Sequence, residues 1–445
     1  MTKSLEEINQ RITEKRATVL TAEEMTRLVT EEGPEEAARK VDVVTTGTFG
    51  AMCSSGLLLN FGHADPPIRM TRVLLNGVEA HAGLAAVDAY LGATQEAPGK
   101  NPVYGGAHVI EDLLLGRRIT LEAFSQGTDC YPRKEIITSF TLEELNQAIL
   151  LNPRNSYQCY NAAVNGSTRA IHTYMGKLLP SFANLTYSGA GELSPLPNDP
   201  GYRTIGLGTR IFLGGGIGYV LGPGTQHNPA SRFGTLMVKG ELRGMNSRFL
   251  RAAFFPGYGV SLFVGIGIPI PILDAEMAQA TGISDDELFT DAIDYSSPRR
   301  DKPVVGRFSY RELKSGRVKL KGKTVPASSM SSLPMAREVA QSLKKLISQG
   351  GFLLTSPVET LPTSSPTLSL QERPLPEGSR QSTTAQGLWN EAQCIRCGQC
   401  IGVCPGKVFS FNPSGVFEVD PSRCLKCGLC LDLCPLGALH PEVIR

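Results

Sequence analysis

The pattern of apolar and polar positions changes several times along this chain, and each change predicts a different kind of element. Residues 4–32 carry apolar positions at helical spacing. Thr21 and Glu24, ahead of Met25 and Leu28, form a Thr-x-x-Glu capping box, which predicts a helix start there. VDVVTTGTFG (41–50) predicts a short buried strand running into a glycine-rich loop. From 51 to 200 glycines and prolines interrupt mixed segments. TLEELNQAIL (141–150) stands out among them, with Thr141 as N-cap and Glu144 three positions on, and predicts a helix. Between 201 and 275 short β-rich runs are broken by glycine: TIGLGTRIFLGGGIGYVLGPG, GTLMVKGELR and GVSLFVGIGIPIPIL. A strand pair turning at Ser315-Gly316 is expected over 303–325, and a short helix over 335–349. Residues 1–350 are therefore expected to form one body of α/β class, a mixed α+β arrangement whose topology the pattern leaves open.

Over 355–388 the periodicity stops. Five of these 34 residues are Pro and 12 are Ser or Thr, so half of them carry turn or linker chemistry. An extended linker, bounded at 351–389, is the favoured expectation. The rival is a strap laid on the body and held by Leu361, Leu368 and Leu370.

Composition narrows the function classes. In 445 residues, 44 Lys and Arg face 42 Asp and Glu, a formal charge of +2. That balance offers no basic footprint for nucleic acid. The charged start, MTKSLEEINQRITEKRATVL, lacks the apolar core of a secretory signal. The longest apolar stretch, Gly259 to Leu273, holds Pro269 and Pro271 and is too short to span a bilayer. A soluble, cytoplasmic protein is expected, with no nucleic-acid or membrane partner.

Eleven cysteines add chemistry, and eight of them lie between Cys394 and Cys434. CIRCGQCIGVCP (394–405) and CLKCGLCLDLCP (424–435) both read C-x₂-C-x₂-C-x₃-C-P. In this pattern the fourth thiolate of each run ligates the other run's cluster. Cys394, Cys397, Cys400 and Cys434 are thus expected to hold one [4Fe–4S] cluster, and Cys424, Cys427, Cys430 and Cys404 a second. Gly398 and Gly428 let the backbone curl around three thiolates, and Pro405 and Pro435 end each turn. Structural zinc is the competing reading, but zinc sites rarely use this triple spacing twice. Residues 390–445 therefore resemble a two-cluster ferredoxin, a small C-terminal domain that moves single electrons.

The other cysteines are scattered. Cys53 lies among Gly47, Gly50 and Gly56. Cys130 lies in SQGTDCYPRKE, close to Arg133 and Lys134, whose charge favours a thiolate. Cys159 fits a buried helical position. His63, Asp65, His108 and Glu111 are candidates for proton work on a carbonyl, although satisfied polar roles are commoner; His227 is a weaker one. Gly216, Gly218 and Gly222 read G-x-G-x-x-x-G, one residue off the dinucleotide fingerprint. An anion nest or plain turn glycines explain them instead.

In this order, VDVVTTGTFGAMCSSG, NFGHADPPI, GGAHVIEDL, GTDCYPRKE, LLNPRNSYQ, SGAGELSPL, DPGYRTIGLGTRIFLGGG and GTQHNP resemble the homocysteine-biosynthesis enzymes, the L-aspartate semialdehyde sulfurtransferases of anaerobic archaea and bacteria. The resemblance covers roughly residues 1–330. It implies joining sulfide, or sulfur from a sulfane donor, to L-aspartate semialdehyde to give homocysteine. It also implies a low-potential electron donor, with a ferredoxin-type protein as electron partner. The family's functional cysteines match Cys53 and Cys130, and its persulfide carrier matches Cys130. Here the ferredoxin is carried in cis and the methanogen arrangement's regulatory nucleotide-binding repeats are missing. An oligomer of identical chains stays open. One rival is a body holding a third cluster on Cys53, Cys130 and Cys159; another is a non-enzymatic electron-transfer or redox-sensing subunit.

Overall fold

Thr21 and Glu24 cap one another as the sequence requires. Glu24 accepts the Thr21 N–H at 2.7 Å, and Thr21 Oγ1 accepts the Glu24 N–H at 3.3 Å. The helix they open, Ala22–Glu32, is separated from the helix Leu5–Thr13 by a short strand, Val19–Thr21, so 4–32 is two helices rather than one. This computed structural model describes residues 2–97, 103–155, 160–372 and 389–439. It divides into two units, Met1–Leu368 and Ser369–Arg445.

The first unit is mixed α and β, as expected, and its pairing is mostly antiparallel. Its centre is a nine-stranded sheet that includes Thr48–Ala51, Gly56–Asn60, Gln147–Asn155, Gly216–Pro223 and Gly259–Gly267. A four-stranded sheet containing Arg72–Leu75 and Ile119–Phe124 shares its apolar core with this large sheet. A six-stranded sheet, including Ala162–Val164 and Lys323–Ser329, builds a separate core. The helix Leu333–Ser348 buries Ala336, Val339, Ala340, Leu343 and Ile347. It packs so close to the chain after Val43–Thr45 that a Cβ on Gly47 would lie 2.2 Å from the Ala336 carbonyl.

Two expectations need correction. The 141–150 segment is not a helix: its capping box forms, with Glu144 accepting the Thr141 N–H at 2.7 Å, but only Leu142–Glu144 turns. Buried Ala148, Leu150 and Asn152 then alternate with less buried neighbours. That two-residue period suits a strand between Gly56–Asn60 and Leu236–Glu241. In the 303–325 region a capped helix, Tyr310–Lys314, intervenes, and Gly316 (φ 83°) only ends it. The hairpin there pairs Arg317–Leu320 with Lys323–Ser329. The glycines of 214–222 are turn glycines, the commoner of the two readings, and make a hairpin. Gly214 (φ 59°) and Gly215 (φ 99°) form its turn, and Gly218 packs against Leu213.

The segment after 351 also begins differently from a free linker. Asn9 exchanges hydrogen bonds with the Leu354 backbone, both at 2.9 Å. Glu359–Thr360 pairs with Gly206–Leu207, and Leu361 is buried. His227 is buried too: Nδ1 accepts the Thr235 N–H at 3.0 Å, and Nε2 donates to the Pro362 carbonyl at 2.9 Å. His227 therefore pins a strap. Leu368 and Leu370 are 94% and 100% exposed, so they hold nothing. The linker expectation for 373–388 falls outside the described residues.

In the second unit Gln399–Val403 and Leu429–Leu433 are short helices, and Phe409–Phe411 pairs with Phe417–Val419. Trp389 stacks edge-on against Phe417 at 4.9 Å within its core. Among the described residues no helix is long and apolar enough to cross a membrane.

Candidate functional site

Cys53 stands in the turn between Thr48–Ala51 and Gly56–Asn60. The Ser55 N–H closes that turn on the Met52 carbonyl at 3.0 Å. Met52 and Ser55 are both buried and both anchored. Met52 donates its N–H to Leu262 at 2.7 Å, and Ser55 Oγ accepts from Asn152 at 2.7 Å. With both shoulders pinned, Cys53 and Ser54 line a cleft at one end of the large sheet. Cys53 Sγ lies 3.1 Å from Ser261 Oγ and takes a weak hydrogen bond from the Tyr258 hydroxyl at 3.7 Å.

The cleft has two adjoining lobes of ≈ 330 and ≈ 350 Å³, both lined by Cys53, Ser54, Arg154 and Tyr258. Arg154 reaches it through a β-bulge. The register against Leu236–Glu241 shifts between Asn152 and Asn155, and the Asn152 side chain accepts the Arg154 N–H at 3.0 Å. The Arg154 guanidinium donates to Gln226 at 2.5 Å, and no carboxylate among the described residues pairs with it. The first lobe also holds Tyr160 and Tyr174; their hydroxyls and that of Tyr295 form a chain with 2.6 and 2.7 Å links. Burial drives the Tyr295 hydroxyl well above its ordinary range.

Cys130 is elsewhere. It is exposed, at the tip of the loop joining Ile119–Phe124 to Glu135–Phe140, where Thr128 and Tyr131 exchange backbone hydrogen bonds of 2.9 and 3.1 Å. That loop abuts the segment following Gly56–Asn60. The Arg133 N–H donates to Pro67 at 3.3 Å, and the Tyr131 ring stacks on His63 at 6.2 Å. Cys53 precedes the same strand, whose five residues span roughly 13 Å end to end. The two thiols therefore face opposite ends of one strand, and the structure does not bring them together. One cluster held by both would have to bridge that separation; Cys159, its third expected ligand, lies outside the described residues.

The other candidates divide. His63 and the exposed Asp65 belong with Cys130. His108 caps its own helix, accepting the Gly105 N–H at 3.2 Å under the Tyr104 ring, and burial lowers its pKa. Glu111 is held by Arg251 and the Ala252 N–H. His108, Glu111 and His227 are satisfied structural groups.

In the second unit the cysteines line two cavities. One is bordered by Cys394, Cys397, Cys400 and Cys434, the other by Cys404, Cys424, Cys427 and Cys430. Gly398 (φ 77°) and Gly428 (φ 75°) stand where each loop curls into its helix. Backbone N–H groups point at sulfur in matched pairs: Arg396 to Cys394 and Lys426 to Cys424 at 3.4 Å, Val408 to Cys404 at 3.3 Å, Ala438 to Cys434 at 3.2 Å. Such donors stabilise charged cluster sulfur. Burial raises the Cys400 thiol to about 11, and raises Cys430 too, so binding iron there must displace their protons. Among the described residues no three His, Cys, Asp or Glu side chains converge on one ion. Each ring of four thiols thus fits a group of several atoms better than a lone zinc.

A profile of the homocysteine biosynthesis enzymes, sulfur-incorporation, matches residues 17–354. The chain belongs to this family. Across the second unit, residues 393–438 match a 4Fe-4S dicluster domain. An L-aspartate semialdehyde sulfurtransferase of Methanosarcina acetivorans is 58% identical over 359 residues, covering 81% of this chain and 72% of the relative. One of the same name from Methanocaldococcus jannaschii is 55% identical over 374 residues, with shares of 81% and 73%. No solved structure matches.

The homocysteine-biosynthesis body thus carries a cleft with further polar groups that the sequence did not single out: Arg154, Tyr258 and, in the second lobe, Glu96. Only the Pro-Arg-Asn interruption of an alternating strand at 153–155 marked Arg154. For the dicluster domain, Cys404→Ser is expected to damage the cluster of Cys424, Cys427 and Cys430, and to spare the one beside it in sequence. Mössbauer or EPR spectra of the two centres check this, and loss of the first cluster instead contradicts the crossed assignment.

Proposed function

We propose that this chain makes L-homocysteine from L-aspartate semialdehyde and sulfide, by a persulfide carried on Cys130, with two electrons supplied through its own dicluster domain. The observation that carries the reading is a cysteine in an arginine-bearing cleft on a homocysteine-biosynthesis body, joined in one chain to paired four-cysteine cavities. Those eight cysteines would hold two [4Fe–4S] clusters, which supply electrons singly at low potential.

The thiol chemistry balances. Once a sulfane donor has loaded Cys130 and a first turnover has joined Cys53 to it, sulfide opens that disulfide, the two-electron oxidant for the step, leaving a Cys53 thiol and a Cys130 persulfide. The outer sulfur attacks the aldehyde carbon, and the carbonyl oxygen takes a proton. Cys53 thiolate then attacks the Cys130 sulfur, re-forms the disulfide and expels a thiohemiacetal. Loss of water gives a thioaldehyde, and two electrons with two protons convert it to the thiol. The net change is aldehyde plus H₂S plus two electrons and two protons to thiol plus water.

Because the two thiols of one chain face opposite ends of a strand, Cys130 serves the Cys53 cleft of a second copy. The exposed Cys130 loop and the open cleft support this pairing. A non-enzymatic electron carrier would not need the cleft. Anaerobic incubation with L-aspartate semialdehyde, sulfide and a strong one-electron reductant, assayed for homocysteine, tests the reading.

A further inference from the structure

We infer that Glu96 and Arg154 form a zwitterion clamp at the Cys53 cleft, Glu96 holding a ligand's α-ammonium group and Arg154 its α-carboxylate. The assignment rests on the reaction proposed above and names the groups that would grip its substrate. Three chemistries meet in one ≈ 350 Å³ lobe: the Cys53 thiol, the Arg154 guanidinium and the Glu96 carboxylate. An amino-acid aldehyde presents an anion and a cation for the two charges, and within a few bonds of them the carbon that the Cys130 persulfide attacks beside Cys53.

Among the described residues neither charge meets an opposite one. The described contacts of the Arg154 guanidinium include the neutral Gln226 amide and no carboxylate, and Glu96 has no side-chain hydrogen bond or ion pair among the described residues. A half-buried guanidinium without a counter-ion is poised for an anionic ligand, which it can grip with two parallel hydrogen bonds. The backbone also makes room for Glu96. Gly259 sits at φ 125°, a conformation side chains rarely adopt, and a Cβ there would lie 2.7 Å from Glu96 Oε1. With the ammonium and carboxylate held, the chain between them and the aldehyde points the reacting carbon at the sulfur. This is orientation by remote binding groups.

L-homoserine, the unreactive alcohol counterpart of the substrate, probes the clamp by calorimetry. 4-Hydroxybutanoate lacks its ammonium group and 3-amino-1-propanol its carboxylate. Wild-type protein should favour L-homoserine over each by about 10- to 100-fold. Glu96→Gln should erase the preference over 4-hydroxybutanoate alone, and Arg154→Gln that over 3-amino-1-propanol alone. Arg154→Lys, which keeps the charge, should restore part of the latter. Unchanged preferences in folded variants that still make homocysteine overturn the clamp and leave the reaction standing. Wild-type protein that neither binds L-homoserine nor turns over the semialdehyde overturns both.

Discussion

Cys53→Ala and Cys130→Ala proteins should each make less than about 1% of the wild-type homocysteine, since each removes a sulfur that bonds change on. Co-assembled, the two dead proteins should recover activity. A mixed pair has one cleft in which an intact Cys53 meets an intact Cys130 from the other chain. Random pairing in a two-fold dimer therefore predicts up to about a quarter of the wild-type rate. The reason lies in the strand Gly56–Asn60, which holds Cys53 at one end and abuts the Cys130 loop at the other. Mass spectrometry separates the two roles. Cys130→Ala should carry no extra sulfur after sulfide treatment, whereas Cys53→Ala should still load Cys130 from a sulfane donor. If co-assembled variants stay dead while each single variant folds and pairs, sulfur passes within one chain. A fully active Cys130→Ala removes its carrier role.

Ending the chain at Glu372 should leave the body folded and cut turnover with low-potential reductants at least about 100-fold. The body's apolar cores are built from residues up to Leu361, and its strap is pinned by Asn9 and His227. Added back as a separate domain at about 10 μM, the dicluster unit should restore only about 1% of the rate. Joining the two units in one chain supplies an effective concentration near millimolar. Full activity in the truncated body would assign the clusters another task.

What was legible in the sequence follows from the range of the forces involved. The cluster cysteines were readable because three of each four lie within seven residues, where left-handed Gly398 and Gly428, with Arg396 and Lys426, make the curl. The Thr21 capping box was equally local and held. The Thr141 box was just as real, but it closed a single turn, because burial of Ala148 and Leu150 between two partner strands outweighed local preference. The strap stood only as the rival to a linker, since its partners, Leu207 and His227, are more than a hundred residues distant in the chain. Arg154 was hidden for a similar reason. A bulge against Leu236–Glu241 aims it, and nothing within its own segment records that pairing. The separation of Cys53 from Cys130 is a property of the sheet, not of either loop.

Coupling between stored electrons and product is measured most directly by a single turnover. The protein is reduced anaerobically, excess reductant is removed, Cys130 is loaded from a sulfane donor, and L-aspartate semialdehyde is added. Two clusters hold the two electrons that one thiol requires, so about one homocysteine per chain should form as the clusters reoxidise. Clusters that stay reduced while homocysteine accumulates, or reoxidise without yielding any, would contradict reductive sulfur incorporation through this chain's own dicluster domain.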